Sequence, residues 1–234
     1  MEKEIEYLVN ALANSGRPFC VILGGKKVSN KIQVIRNMLD KANFIFIGGA
    51  MAFPFLKAKG HSVGLSKYES KAKRKDGTEV DIVKLADGLL REAELKAHGK
   101  ILLPVDFFTR RELEDPERPA ISEYRDIPDN QMALDIGPKT LRWYLQEIKL
   151  ARTVLWNGPL GVFEHPAFSQ GTFSIAEGLA KYDCLSIVGS GDTATAVRQA
   201  GVADGITHIS TDGGAMLELL EGKELPGMVV LTDK

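Results

Sequence analysis

The stretch "SIVGSGDTATAV", residues 186–197, decides how this chain is read. An apolar, β-branched run breaks at Gly189-Ser190-Gly191, meets Asp192 and Thr193, and then turns small and helix-prone. Strand, glycine turn and helix start in immediate succession form the βα unit of a parallel sheet. The turn is neither G-x-G-x-x-G nor G-x-x-x-x-G-K-[ST], so pattern alone does not say what it binds.

Outward from this unit the same device recurs three times. "FCVILGG" (19–25) and "FIFIGG" (44–49) are unbroken apolar runs closed by Gly24-Gly25 and Gly48-Gly49, and "THISTDGGAMLELLEG" (207–222) turns at Gly213-Gly214 into a helix stopped by Gly222. Between them the apolar spacing predicts helices over 4–13, 29–42 with Ser29 as N-cap, 80–99, 169–182 and 192–200, and one after Gly137-Pro138. "AMAFPFLKAKG" (50–60) reads as a short helix interrupted by Pro54, "KILLPVD" (100–106) as one strand and 132–136 as another. The polar segment 59–78 reads as surface loop, and the charged, proline-bearing segment 107–131 as a solvated excursion with room for short strands. The expectation is a single α/β domain over 1–234: a Rossmann-like three-layer sandwich, a mostly parallel sheet of about six strands with helices on both faces.

Bulk properties narrow the partners. The 234 residues carry a net charge of −1 and 44% apolar residues, which gives no basic footprint for nucleic acid or an anionic membrane surface. No apolar run approaches the ~20 residues a membrane span needs. The acidic, amphipathic start is not a signal peptide. Cys20 and Cys184 lie in apolar runs and read as small buried hydrophobes rather than a disulfide or a metal pair, which suits a reducing, cytoplasmic setting.

All strand-to-helix turns of a parallel sheet open on its carboxyl edge, where ligands bind. Glycines there let backbone amides come close to a ligand, and helix starts favour anions. Lys27 and Lys31 stand four apart after Gly25 and share a face if that turn is helical. Two ammonium groups at that edge suit a polyphosphate; otherwise they are a solvated helix start, although cations there oppose the dipole. Asp192 is either an N-cap or a contact for Mg²⁺, which takes one or two carboxylates beside phosphate oxygens. Glu164 could accept both hydroxyls of a ribose or be an ordinary surface residue. His61, His98, His165 and His208 show no metal-ligand spacing, and no nucleophile–base pair stands out. Such a site works by positioning and charge neutralisation, which suffices for phosphoryl transfer.

"VILGGKKVSNKI", "FIGGAMAFPFLK", "LPVDF", "LDIGPKT", "LWNGPLGVFE", "VGSGDTATAV" and "HISTDGGAMLELLEGKELPG", in this order, resemble phosphoglycerate kinase along nearly the whole chain. The likeness covers that family's C-terminal, nucleotide-binding half. Its N-terminal half, which binds 3-phosphoglycerate, has no counterpart here, and residues 1–16 resemble the interdomain helix. The resemblance implies reversible phosphoryl transfer between 1,3-bisphosphoglycerate and ADP in glycolysis, with Mg²⁺ and ADP or ATP bound. It assigns Lys27 to the transferring phosphoryl group, and Lys31 with Asn157 to the α-phosphate. Asp192 falls to Mg²⁺, Gly191 and the Thr193 amide to the phosphates, and Glu164 to ribose. Gly25, Gly48, Gly49 and Pro159 become walls of the adenosine pocket, and Gly213 and Gly214 donors to the phosphoryl group in flight.

Four positions depart from the family pattern: Ser190 and Asp212 replace glycines, Asn30 an aspartate and Pro54 a threonine. Two functions therefore stand: the nucleotide half of the kinase, inactive without its N-terminal partner, or a non-catalytic nucleotide-binding module of the same fold.

Overall fold

The computed structural model describes residues 15–74, 76–115, 117–210 and 213–222; the helix expected over 4–13, Asp212 and the tail from 223 lie outside them. In chain order the strands are β1 (Phe19–Leu23), β2 (Phe44–Ile47), β3 (Lys71–Lys73), β4 (Glu79–Asp81), β5 (Lys100–Leu102), β6 (Asp106–Arg110), β7 (Ala120–Glu123), β8 (Met132–Ile136), β9 (Thr153–Asn157), β10 (Leu185–Gly189) and β11 (His208–Ile209). The helices are α1 (Ile32–Met38), α2 (Ala52–Ala58), α3 (Ile82–Glu94), α4 (Pro138–Lys149), α5 (Gln170–Leu179), α6 (Gly191–Gln199) and α7 (Gly213–Leu220).

Six strands form one parallel sheet in the order β11-β10-β9-β1-β2-β5. Alternate residues of each strand face opposite sides. Phe19, Val21 and Leu23 pack with Val34, Ile35, Leu89 and Met216 of α1, α3 and α7; Cys20 and Ile22 pack with Tyr144, Ile175 and Val197 of α4, α5 and α6. Both faces are covered, which is why β1 and β9 are buried at every residue and read as continuous apolar runs. The three-layer expectation holds.

Several local expectations do not. The excursion does carry short strands, β6 and β7, but the strand over 132–136 joins them in a separate antiparallel sheet, order β7-β6-β8, rather than the parallel one. Phe107 and Ala133 anchor it against Phe53, Leu56 and Val63. "KILLPVD" is two elements, because Pro104 removes a ladder donor between β5 and β6. The 59–78 loop contributes β3 to a short hairpin with β4. Pro54 does not interrupt α2; it lies in the first turn, where a missing N–H is tolerated. Cys20 is buried and Cys184 half-buried, both as free thiols.

Asp106, which opens β6, is fully buried and accepts bonds from Lys139 N at 2.9 Å, Thr140 N at 2.7 Å and Thr140 Oγ1 at 2.6 Å. This carboxylate satisfies the first amides of α4. It leaves Gly137 no room for a Cβ, so "LPVDF" and "LDIGPKT" are two halves of one joint.

Candidate functional site

β1 leads to β2 and β5 on one side, and β9 returns to β1 on the other, so the carboxyl ends of β1 and β9 flank the point where the winding reverses. A crevice opens there in sheets of this kind. Register places Leu23 against Ile47 and Asn157, Asn157 against Gly189, and Val188 against Ile209. The turns bearing Gly24-Gly25, Gly48-Gly49, Gly158-Pro159 and Ser190 therefore leave one rim, and Gly213 starts α7 three residues after Ser210, which bonds to Val188 O. Lys27, Asp192 and Gly213 share that rim.

The turns are interlocked. Gly24 N donates to Asn157 O at 3.0 Å, Gly25 N to Pro159 O at 2.8 Å and Gly49 N to Leu160 O at 2.9 Å. A Cβ on Gly24 would run into Pro159, and one on Gly48 into Leu160. These glycines let loops pack on one another, and their amides are already engaged, which corrects the expectation that they approach a ligand. Gly25, Gly49 and the half-buried Pro159 still pack on one another as a wall of this rim, with Gly48 against Leu160 beside them.

Lys31 lies under that wall. Its Nζ donates to Gly24 O at 2.6 Å and to Asn157 O at 2.8 Å, tying β1 to β9 across the reversal point. Burial lowers its pKa from 10.5 to about 7, opposed by the charge of Asp192. Lys27 is exposed and Lys31 is buried, so the two do not share a face. The reason is local: α1 begins only at Ile32, and residues 29–31 form a turn rather than helix. Ser29 does not cap α1. Its N–H and Oγ instead donate to Glu69 at 2.9 and 2.6 Å.

Asn157 is 1% exposed, and its Nδ2 has no partner among the described residues. It lies 3.3 Å from where a Cβ on Gly189 would stand, beside the opening turn of α6. At that turn the N-cap is Ser190, not Asp192. Ser190 holds φ 78 and ψ 143 while its Oγ accepts from Thr193 N at 3.3 Å. An L-residue held there costs on the order of 1–3 kcal/mol. The Thr193 amide expected to be free is thus engaged. Its hydroxyl, absent from the sequence reading, accepts from Gly158 N at 2.7 Å and joins α6 to the β9 turn.

Asp192 is exposed in the first turn of α6 and makes no ion pair among the described residues. Among those residues no cluster of three His, Cys, Asp or Glu could hold a metal. The donor set fits a cation that takes most of its ligands from phosphate and water. Gly191 begins α6 with open space where a Cβ would project. Glu164 is exposed in the loop after β9, and Gly214 is exposed in the first turn of α7.

Two supports escaped the sequence reading. Glu69 lies in a polar stretch without periodicity and gives no signal. Asp135 of β8 is buried, and its carboxyl accepts from Gly171 N at 2.7 Å and Ile136 N at 2.9 Å. It fixes the start of α5, from which Thr172 Oγ1 takes the Leu160 amide at 3.0 Å.

A family model for phosphoglycerate kinase matches residues 1–223. The chain belongs to the phosphoglycerate kinase family. It is 53% identical over its whole length to phosphoglycerate kinase of Gloeobacter violaceus, covering 57% of that relative. It is 46% identical to the cytosolic phosphoglycerate kinase of Crithidia fasciculata, covering 54% of it. The solved phosphoglycerate kinase of Coxiella burnetii superposes with a TM-score of 0.89 at 38% identity, over 98% of this chain and 56% of that one. That of Pyrococcus horikoshii gives 0.80 at 33% identity, over 99% and 56%. The chain therefore spans about half the length of the curated relatives it matches. Among the described residues no helix is long and apolar enough to cross a membrane.

Proposed function

We propose that this chain is the C-terminal, nucleotide-binding half of a phosphoglycerate kinase, a single domain over 1–234, and that it binds Mg·ADP or Mg·ATP at the β1/β9 reversal point. The observation that carries the reading is the partnerless Nδ2 of the buried Asn157, whose main-chain carbonyl takes Lys31 Nζ at 2.8 Å and whose register partner Gly189 leads into the turn bearing Asp192. A buried donor without a partner is costly, and a ligand oxygen relieves it. The whole reaction moves the phosphoryl group of 1,3-bisphosphoglycerate to ADP, giving 3-phosphoglycerate and ATP, with the acyl donor held by an N-terminal half.

Lys27 reaches the transferring phosphoryl group, while Gly213 and Gly214 offer it main-chain donors. Lys31 with Asn157 serves the α-phosphate side, Gly191 and Thr193 the remaining phosphates, and Glu164 the ribose. Asp192 would hold Mg²⁺, which supplies positive charge to the phosphate oxygens. No side chain here acts as nucleophile; the domain positions the nucleotide and balances charge. A cytoplasmic setting is proposed with this role, supported by the cytosolic name of the Crithidia relative.

A coupled kinase assay tests the reading, run on the chain alone and with the N-terminal domain of a relative added. Mg·ADP binding with negligible turnover alone, and turnover on addition, is expected. Robust turnover by the chain alone would refute the division of labour. Nucleotide binding indifferent to Mg²⁺, with no turnover after addition, would favour a non-catalytic module.

A further inference from the structure

Ser190 is the only non-glycine among the described residues with φ in the left-handed range, at 78°. Its Oγ accepts the Thr193 amide at 3.3 Å and lies 2.7 Å from Thr193 Oγ1. The turn does not need this bond to stay in place, because the buried Thr193 is already fastened to β9 through Gly158 N. The ligand side of the turn is open, since a Cβ on Gly191 would meet nothing within 4 Å. Beside it lies Asn157, 1% exposed, with an Nδ2 that finds no acceptor among the described residues. At this helix start the Thr193 amide is thus taken by a neighbouring side chain, while the Asn157 amide beside it is left without an acceptor.

We infer that the Ser190 hydroxyl is a built-in competitor for the phosphate seat at the start of α6. It holds the Thr193 amide in the free protein and must swing away before a nucleotide phosphate can use that donor. The chain thus binds nucleotide more weakly than its backbone allows. This inference rests on the nucleotide reading above.

Calorimetric titration of Mg·ADP into the wild-type chain, Ser190→Gly and Ser190→Ala tests it, with thermal unfolding measured alongside. Both substitutions remove the oxygen, and alanine keeps the β-carbon and the backbone strain. Both variants should bind about three- to tenfold tighter, the worth of one released hydrogen bond. A gain in Ser190→Gly but not in a folded Ser190→Ala would assign it to relieved strain and overturn the inference. Unchanged or weaker binding in Ser190→Gly, whatever its melting temperature, makes Ser190 a structural cap and also overturns it. Should Ser190→Ala fail to fold, Ser190→Cys, which keeps the β-carbon and the strain and replaces the oxygen with a weak sulfur acceptor, takes its place with the same outcomes. Absence of binding in all three proteins would defeat the nucleotide reading itself, and the inference with it.

Discussion

Asp135 sets burial against hydrogen bonding at a single carboxyl. Two main-chain amides, Gly171 N at 2.7 Å and Ile136 N at 2.9 Å, favour the ionised form. Burial opposes them and wins, pushing the pKa from 3.8 up to about 8. The folded protein therefore keeps a proton that the unfolded chain releases once pH passes 3.8. Where the folded state binds more protons, stability falls as pH rises, by roughly 1.4 kcal/mol per pH unit for one group. Between pH 5 and 7 the wild type should lose about 3 kcal/mol relative to Asp135→Asn, which cannot titrate. Asparagine also sets an NH₂ against one of the two amides, but that cost does not change with pH, so only the slope is read. Urea unfolding of both proteins at half-unit steps, with m-values held constant, measures it. Parallel stability lines would show the amides keeping Asp135 ionised, and the reasoning from burial would fail.

Asp192→Ala should weaken Mg-dependent ADP binding at least about tenfold and leave Mg-free binding unchanged in calorimetry, as loss of one carboxylate from a two-carboxylate-or-fewer site implies; equal Mg-dependent binding would remove Asp192 from the metal. Asp106→Ala strips α4 of a buried cap and should cost about 3 kcal/mol in urea unfolding. The folded fraction should bind ADP as before, and a loss below about 1 kcal/mol would contradict the joint described above. Gly158 has φ +100, and a Cβ there would strike the Gly24 backbone and lie 2.6 Å from Lys31 Nζ. Gly158→Ala should therefore lose more than about 2 kcal/mol of stability together with ADP binding, and an unchanged melting temperature would refute the interlocked turns.

The sheet was legible because its strands are buried on both faces and so read as unbroken apolar runs, with turns marking every reversal. Phe19–Leu23 and Thr153–Asn157 show this at every residue. The second sheet was not legible as such, because β7 is exposed at three of its four residues and carries no apolar period. Placing Lys27 and Asp192 on one rim needed only topology. The burial of Lys31 depended on where α1 begins, and that is set by Glu69, forty residues away and holding Ser29. Ser190 was visible as a departure from the family's glycine, but its engagement of Thr193 is a matter of side-chain geometry that no spacing rule encodes.

The glycine turns along the rim divide into two kinds. At β1 and β2 the amides of Gly24, Gly25, Gly48 and Gly49 all bond to neighbouring strands or loops, and Lys31 adds a buried strut beneath them. That half of the crevice is finished before any ligand arrives. In the binding proposed above, the main chain of this half contributes shape, a wall that costs little to organise when a flat ligand settles on it. At β10 the opposite holds. The start of α6 keeps an exposed carboxylate, a buried amide group without an acceptor and one strained residue. The partnerless amide is unfavourable alone and an anion oxygen would relieve it, whereas the carboxylate is already favoured by the helix dipole and stands free for a cation. On the proposed function the rim thus joins a wall already packed at β1 and β2 to an anion seat still open at α6, and affinity changes at α6 without disturbing the core that β1 and β9 share.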